Sequence, residues 1–79
     1  MAGTTLYPTV SVVDAQYELD KARALVSYYS ASRSCHVVET EANLVAVRRA
    51  SLVARSAGIS EATLIGVASL AYSSARGGE

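Results

Sequence analysis

Apolar residues recur along most of this chain at spacings of three and four, the period of a helix that buries one side. The first run is Val12, Ala15, Leu19, Ala22, Val26 and Tyr29, a seam that one neighbouring helix could cover. Ahead of it, Ser11-Val12-Val13-Asp14 has the form of a capping-box variant, with the acid in the first turn where the helix dipole favours it. A first helix is expected over 11–31. Its other face carries Asp14, Glu18, Asp20, Lys21 and Arg23, and the pairs Glu18/Lys21 and Asp20/Arg23 stand three apart, as suits a solvated face.

A second stripe runs Ala42, Val45, Ala46, Ala50, Val53 and Ala57, widened by Leu44, Val47 and Leu52. Thr40 can cap it and Gly58 ends it, which predicts a helix over 41–57. The third stripe, Leu64, Val67, Ala68, Ala71 and Ala75, predicts a helix over 60–76 stopped by Gly77-Gly78. Between the first two helices lie the Ser-rich stretch Ser30 to Ser34 and then Cys35-His36-Val37-Val38, which suits a short extended segment or the opening of the next helix. A loop is expected over 32–40. Residues 1–10, with Gly3, Thr4, Thr5 and Pro8, read as an extended arm that Leu6 and Tyr7 could anchor. The expected fold is all-α: one small three-helix domain with an extended N-terminal arm and a helix-turn-helix-like C-terminal helix pair.

That last expectation rests on the stretch from Val53 to Val67. Two helices cross closely at a tight turn only if a small residue sits inside the first of them, and Ala54 is placed to be that residue. Gly58 supplies a turn that needs positive φ, Ile59 drops between the helices, Ser60 caps the next helix, and Leu64 and Val67 face inward. The segment resembles the helix-turn-helix of bacterial repressors of the tetracycline-repressor and lactose-repressor type and of resolvase tails. In those an Ala, a Gly four residues on, Ile or Val, Ser and then Thr-Leu recur. The resemblance covers about residues 50–72 and implies a DNA-binding transcriptional regulator acting as a homodimer. It places Ser60, Glu61, Ala62, Ile65, Gly66 and Ser69 on the outward side of a recognition helix, with Thr63 near the phosphates. Arg48, Arg49 and Arg55 lie on the preceding helix, where such residues bind phosphates and set register. The candidate DNA-binding residues are therefore Arg48, Arg49, Arg55, Ser60, Glu61, Thr63 and Ser69.

Composition pulls the other way. Seven basic residues balance seven acidic ones in 79, so the chain lacks the electrostatic footprint of a domain that holds phosphates unaided. No cation lies between Arg55 and Arg76. Hydrophobic residues make up 51% of the chain, and a domain this short buries only about 60% of its unfolded surface, so a self-associating or partner-binding face is expected. This supports a second class of function, a non-enzymatic helical protein-interaction module (adaptor, accessory subunit or inhibitor) that uses the apolar face of the third helix. Tyr17, Tyr28, Tyr29, Ile65, Leu70 and Tyr72 are its candidate interface residues, since tyrosine buries area while keeping a wet hydroxyl. The same tyrosines could instead rim a small core that has no Phe or Trp.

Cys35 beside His36 is the one pair that suggests catalysis or metal, but adjacent side chains generally point apart and no second Cys or His completes a site. No metal, cofactor, small-molecule substrate or enzymatic role is expected. One cysteine permits no internal disulfide, and the opening residues lack the pattern of a secretory leader, so a reduced cytoplasmic setting is expected, without membrane association. The Ala-, Val- and Arg-rich usage with a single Lys suggests a high-GC genome, bacterial or from a phage or plasmid.

Overall fold

The computed structural model describes residues 12–77. The arm expected over 1–10 with its anchors Leu6 and Tyr7, the Ser11 cap and Gly78 lie outside them. The described chain is all-α, three helices with no strand among the described residues: α1 Val12–Val37, α2 Glu41–Ser56 and α3 Glu61–Gly77. α2 runs back along α1 and α3 runs forward along it again. Both pack on α1, and they share little with each other beyond the turn that joins them.

Local chemistry explains the helix ends. Thr40 sits in extended backbone (φ −118°, ψ 162°) and its side chain accepts the Asn43 N–H at 3.1 Å, closing one of the free donors of α2. At the other end the Ile59 N–H reaches the Ala54 carbonyl at 3.1 Å and the Gly58 N–H reaches that of Arg55 at 3.0 Å, the two bonds of a Schellman motif. Gly58 takes the left-handed position at φ +93°, among the described residues the only positive φ. A side chain there would be strained by its backbone and would also meet the Tyr17 hydroxyl, 2.7 Å from where a Cβ would stand.

Three sequence expectations need correction. The loop expected over 32–40 is helix as far as Val37, leaving only 38–40 between α1 and α2. Serine is only a mild helix breaker, and tertiary contacts override it here. Ser32 is buried, Cys35 is half-buried, and the Arg33 Nε donates to Ser74 Oγ on α3 at 2.9 Å. The α1 seam faces solvent from Val12 through Ala15, Leu19, Ala22 and Val26, with Val12 85% exposed and Val26 64%, and only its last member, Tyr29, is half-buried. The side turned inward instead carries Lys21, Ala24, Leu25, Tyr28, Ala31, Ser32 and Cys35. Likewise the α2 stripe is rotated: Asn43, Leu44, Val47, Ala50, Ser51, Ala54 and Ala57 are the buried or half-buried positions, while Val45, Leu52 and Val53 are exposed. The α3 stripe stands as expected, with Leu64 and Ala71 buried and Val67, Ala68 and Ala75 half-buried.

The core is correspondingly lean. Ala24, Ala54 and Leu64 cluster at its centre, with Tyr28, Ala57 and Ile59 packed against them. Alanines at the helix contacts let the backbones approach, so Leu64 is the large side chain that fills the space they leave.

Candidate functional site

The turn between α2 and α3 assigns most of the expected DNA-binding residues to structural tasks. Ser60 Oγ accepts the Thr63 N–H at 3.2 Å and shares a hydrogen bond with Thr63 Oγ1 at 3.0 Å, so both side chains serve the N-terminus of α3. The guanidinium of Arg55 is forked onto Glu61, with Nε to Oε1 at 3.1 Å and Nη2 to Oε1 and Oε2 at 2.8 and 3.1 Å. Its Nη1 donates to Ser51 Oγ at 2.6 Å. Arg55 therefore presents little free donor capacity, and Glu61 holds its charge at the favourable end of the helix dipole.

Arg48 and Arg49 stand apart from this cluster. They lie about two turns before Arg55 on the exposed side of α2, and neither has a carboxylate within 4.0 Å among the described residues. Ser69 lies further along α3, exposed, beside the cleft between α1 and α3. The structure thus brings together Arg55, Ser60, Glu61 and Thr63 and leaves Arg48, Arg49 and Ser69 separate from them.

The candidate interface residues divide in the same way. Ile65 and Tyr72, seven apart, stand on one side of α3 and line an open, shallow cleft bordered by Tyr28 and His36 of α1, with Leu64 and Ala68 at its base. Ile65 is 60% exposed. Tyr72 is held by its neighbours: the His36 ring meets it edge-on at 5.2 Å, and Arg76 sits 5.4 Å from its ring centre while donating to its hydroxyl at 2.9 Å. Leu70 does not belong to this face. It is exposed about 140° around the helix from Ile65, so the expected single face of Ile65, Leu70 and Tyr72 is corrected to two.

On α1, Tyr28 packs against the core and Tyr29 is half-buried. Tyr17 lies over the α2–α3 turn with the Lys21 ammonium 4.8 Å from its ring centre. Cys35 is a free, half-buried thiol beside exposed His36, and no group of three or more His, Cys, Asp or Glu among the described residues could hold a metal. No described helix is long and apolar enough to cross a membrane.

One organising residue escaped sequence reasoning. The Asn43 side-chain amide donates to the Val38 carbonyl at 2.7 Å and the Ser34 carbonyl at 3.4 Å, tying the end of α1 to the start of α2. Its place three residues after the Thr40 cap was the available signal. The chain matches no protein-family model, and no curated protein or solved structure is detectably similar to it.

Proposed function

We propose that this chain is a non-enzymatic helical protein-interaction module, an adaptor, accessory subunit or inhibitor that receives an amphipathic helix of its partner in the cleft between α1 and α3. The setting of Ile65 carries this reading. A DNA-reading helix exposes donors that pair with base edges, usually flanked by cations. Ile65 is exposed among Glu61, Ser69 and Tyr72; Arg55 and Arg76, which touch two of these, are bonded to Glu61 and Tyr72, and among the described residues no Lys or Arg lines the cleft itself. Ile65 and Tyr72 at i and i+7, over a base of Leu64 and Ala68, suit the anchors of a helix laid in a groove. Tyr72, propped by His36 and Arg76, offers apolar area at little cost in side-chain entropy.

Affinity purification from the host, followed by calorimetric titration of the recovered partner, tests this. Wild-type chain should bind, and Ile65→Glu should lose that binding while keeping its helical circular dichroism. Equal binding by the variant would sink the reading.

A second reading, a dimeric helix-turn-helix regulator, draws support from Arg48 and Arg49, exposed and without a carboxylate partner among the described residues, and from a turn in which Ala54, Gly58, Ile59 and Ser60 hold the positions such a motif needs. It predicts binding to duplex DNA that weakens steeply between about 50 and 200 mM salt and is lost on replacing both arginines by alanine.

A further inference from the structure

The α1 seam that the fold leaves in solvent has a repeat and a charge pattern of its own. Val12, Leu19 and Val26 recur every seven residues, with Ala15 and Ala22 between them, which is the a/d spacing of a two-stranded coiled coil. All five are exposed; Ala22 and Val26 lie on the side of α1 opposite Lys21, Ala24, Leu25 and Tyr28, and Val12, Ala15 and Leu19 continue that line along the first turns of α1, where residues 12–20 are exposed all round. We propose that two copies of this chain associate along this seam, α1 beside α1, parallel and in register.

The flanking charges choose both the occupant and the direction. Glu18 borders the seam on one side and Arg23, five residues later, on the other. In a parallel, in-register pair, Glu18 of each copy faces Arg23 of the second, the arrangement that g and e positions use to select partner and orientation. In an antiparallel pair each flank meets its own kind: the Glu18 flank, continued by Leu25, meets itself, and the Arg23 flank meets Gln16, Ser30 or a second Arg23. No opposite charges then face each other. Both groups are available, because among the described residues Arg23 has no carboxylate within 4.0 Å and the ion-pair partner of Glu18 is Lys21, at 3.4 Å on the surface.

Two further features favour the contact. Association need not supply the cost of ordering the helix, because α1 is already packed on α2 and α3 from Lys21 onward. Ala15 and Ala22 let the two backbones come close, so Val12, Leu19 and Val26 interlock without obstruction. The seam and the α1–α3 cleft are different surfaces, so this pairing stands independently of the partner-binding role.

Size-exclusion chromatography with light scattering tests it. The intact chain should run at twice its 8.2 kDa mass. Leu19→Glu should raise the dimer dissociation constant by roughly thirtyfold or more, with helical circular dichroism unchanged. E18R and R23E should each be monomeric alone, through like charges facing across the seam, and should form a heterodimer when mixed. Ile65→Glu should remain dimeric. A wild-type chain that stays monomeric up to millimolar concentration, a dimer indifferent to Leu19→Glu, a dimer dissolved by Ile65→Glu, or a mixture of E18R and R23E that stays monomeric would each overturn the proposal.

Discussion

The two faces of α1 differ in a way that hydrophobicity alone would misjudge. The outer face, Val12, Ala15, Leu19, Ala22 and Val26, is the more regular and the more apolar, yet it lies in solvent, its first three residues in a stretch, 12–20, that is exposed all round. The inner face mixes Ala24, Leu25, Tyr28, Ala31, Ser32 and Cys35 with the stem of Lys21, and it is the one that α2 and α3 cover. Small side chains explain why the inner face can be the core. Two helices must pack onto one, and Ala24 of α1 and Ala54 of α2 clear the space that Leu64 of α3 fills. A regular apolar seam marks a face that something can cover, whereas closely spaced small residues mark where the chain's own helices cross.

The sharpest way to break this contrast is to truncate one residue on each side of it. Leu64→Ala should destabilise the fold by about 3 kcal/mol, because Ala24 and Ala54 are too small to close the cavity. Leu19→Ala, measured where the chain is dilute enough to be monomeric, should change stability by less than about 0.5 kcal/mol. Urea unfolding reads both, and comparable losses would mean that the outer face belongs to the monomer's core.

A smaller effect is expected where the inner face meets the turn. Gly58→Ala should cost about 2 kcal/mol, from a side chain forced to positive φ and from its approach to the Tyr17 hydroxyl. Adding Tyr17→Phe should recover the part due to that approach and leave the backbone part. A Gly58→Ala chain as stable as wild type in thermal melts would show that Tyr17 does not clamp this turn.

The smallest expected change has the opposite sign. Ser32 Oγ is buried without a hydrogen-bond partner among the described residues, so Ser32→Ala should stabilise the fold by about 1 kcal/mol. A fall in melting temperature would reveal a partner for that hydroxyl, and with it a polar contact in the inner face.

How much of this could be read from residues alone differs from helix to helix. α3 was legible because its apolar positions Leu64, Val67, Ala68, Ala71 and Ala75 form one narrow stripe, leaving a single inward face to choose. α1 carries apolar residues on both sides, so the period identified the helix without identifying its buried face. The Ser-rich stretch of α1 is helix and not loop because a propensity difference of a few tenths of a kcal/mol per residue yields to packing at Ser32 and Cys35 and to the Arg33–Ser74 bond. At the candidate site, the roles of Ala54, Gly58 and Ser60 followed from their chemistry. The capture of Arg55 by Glu61 did not, since it depends on how the turn brings the two side chains together.

The sequence by itself determined what neighbouring residues settle among themselves: three helices, the Thr40 and Ser60 caps, the Gly58 turn and the inward stripe of α3. Only the tertiary structure decided which side of α1 and of α2 is buried, how far α1 continues, and which arginines are captured by a neighbour. Those outcomes depend on contacts between residues far apart in the chain. Their energies of a kilocalorie or more outweigh the tenths by which local preferences differ.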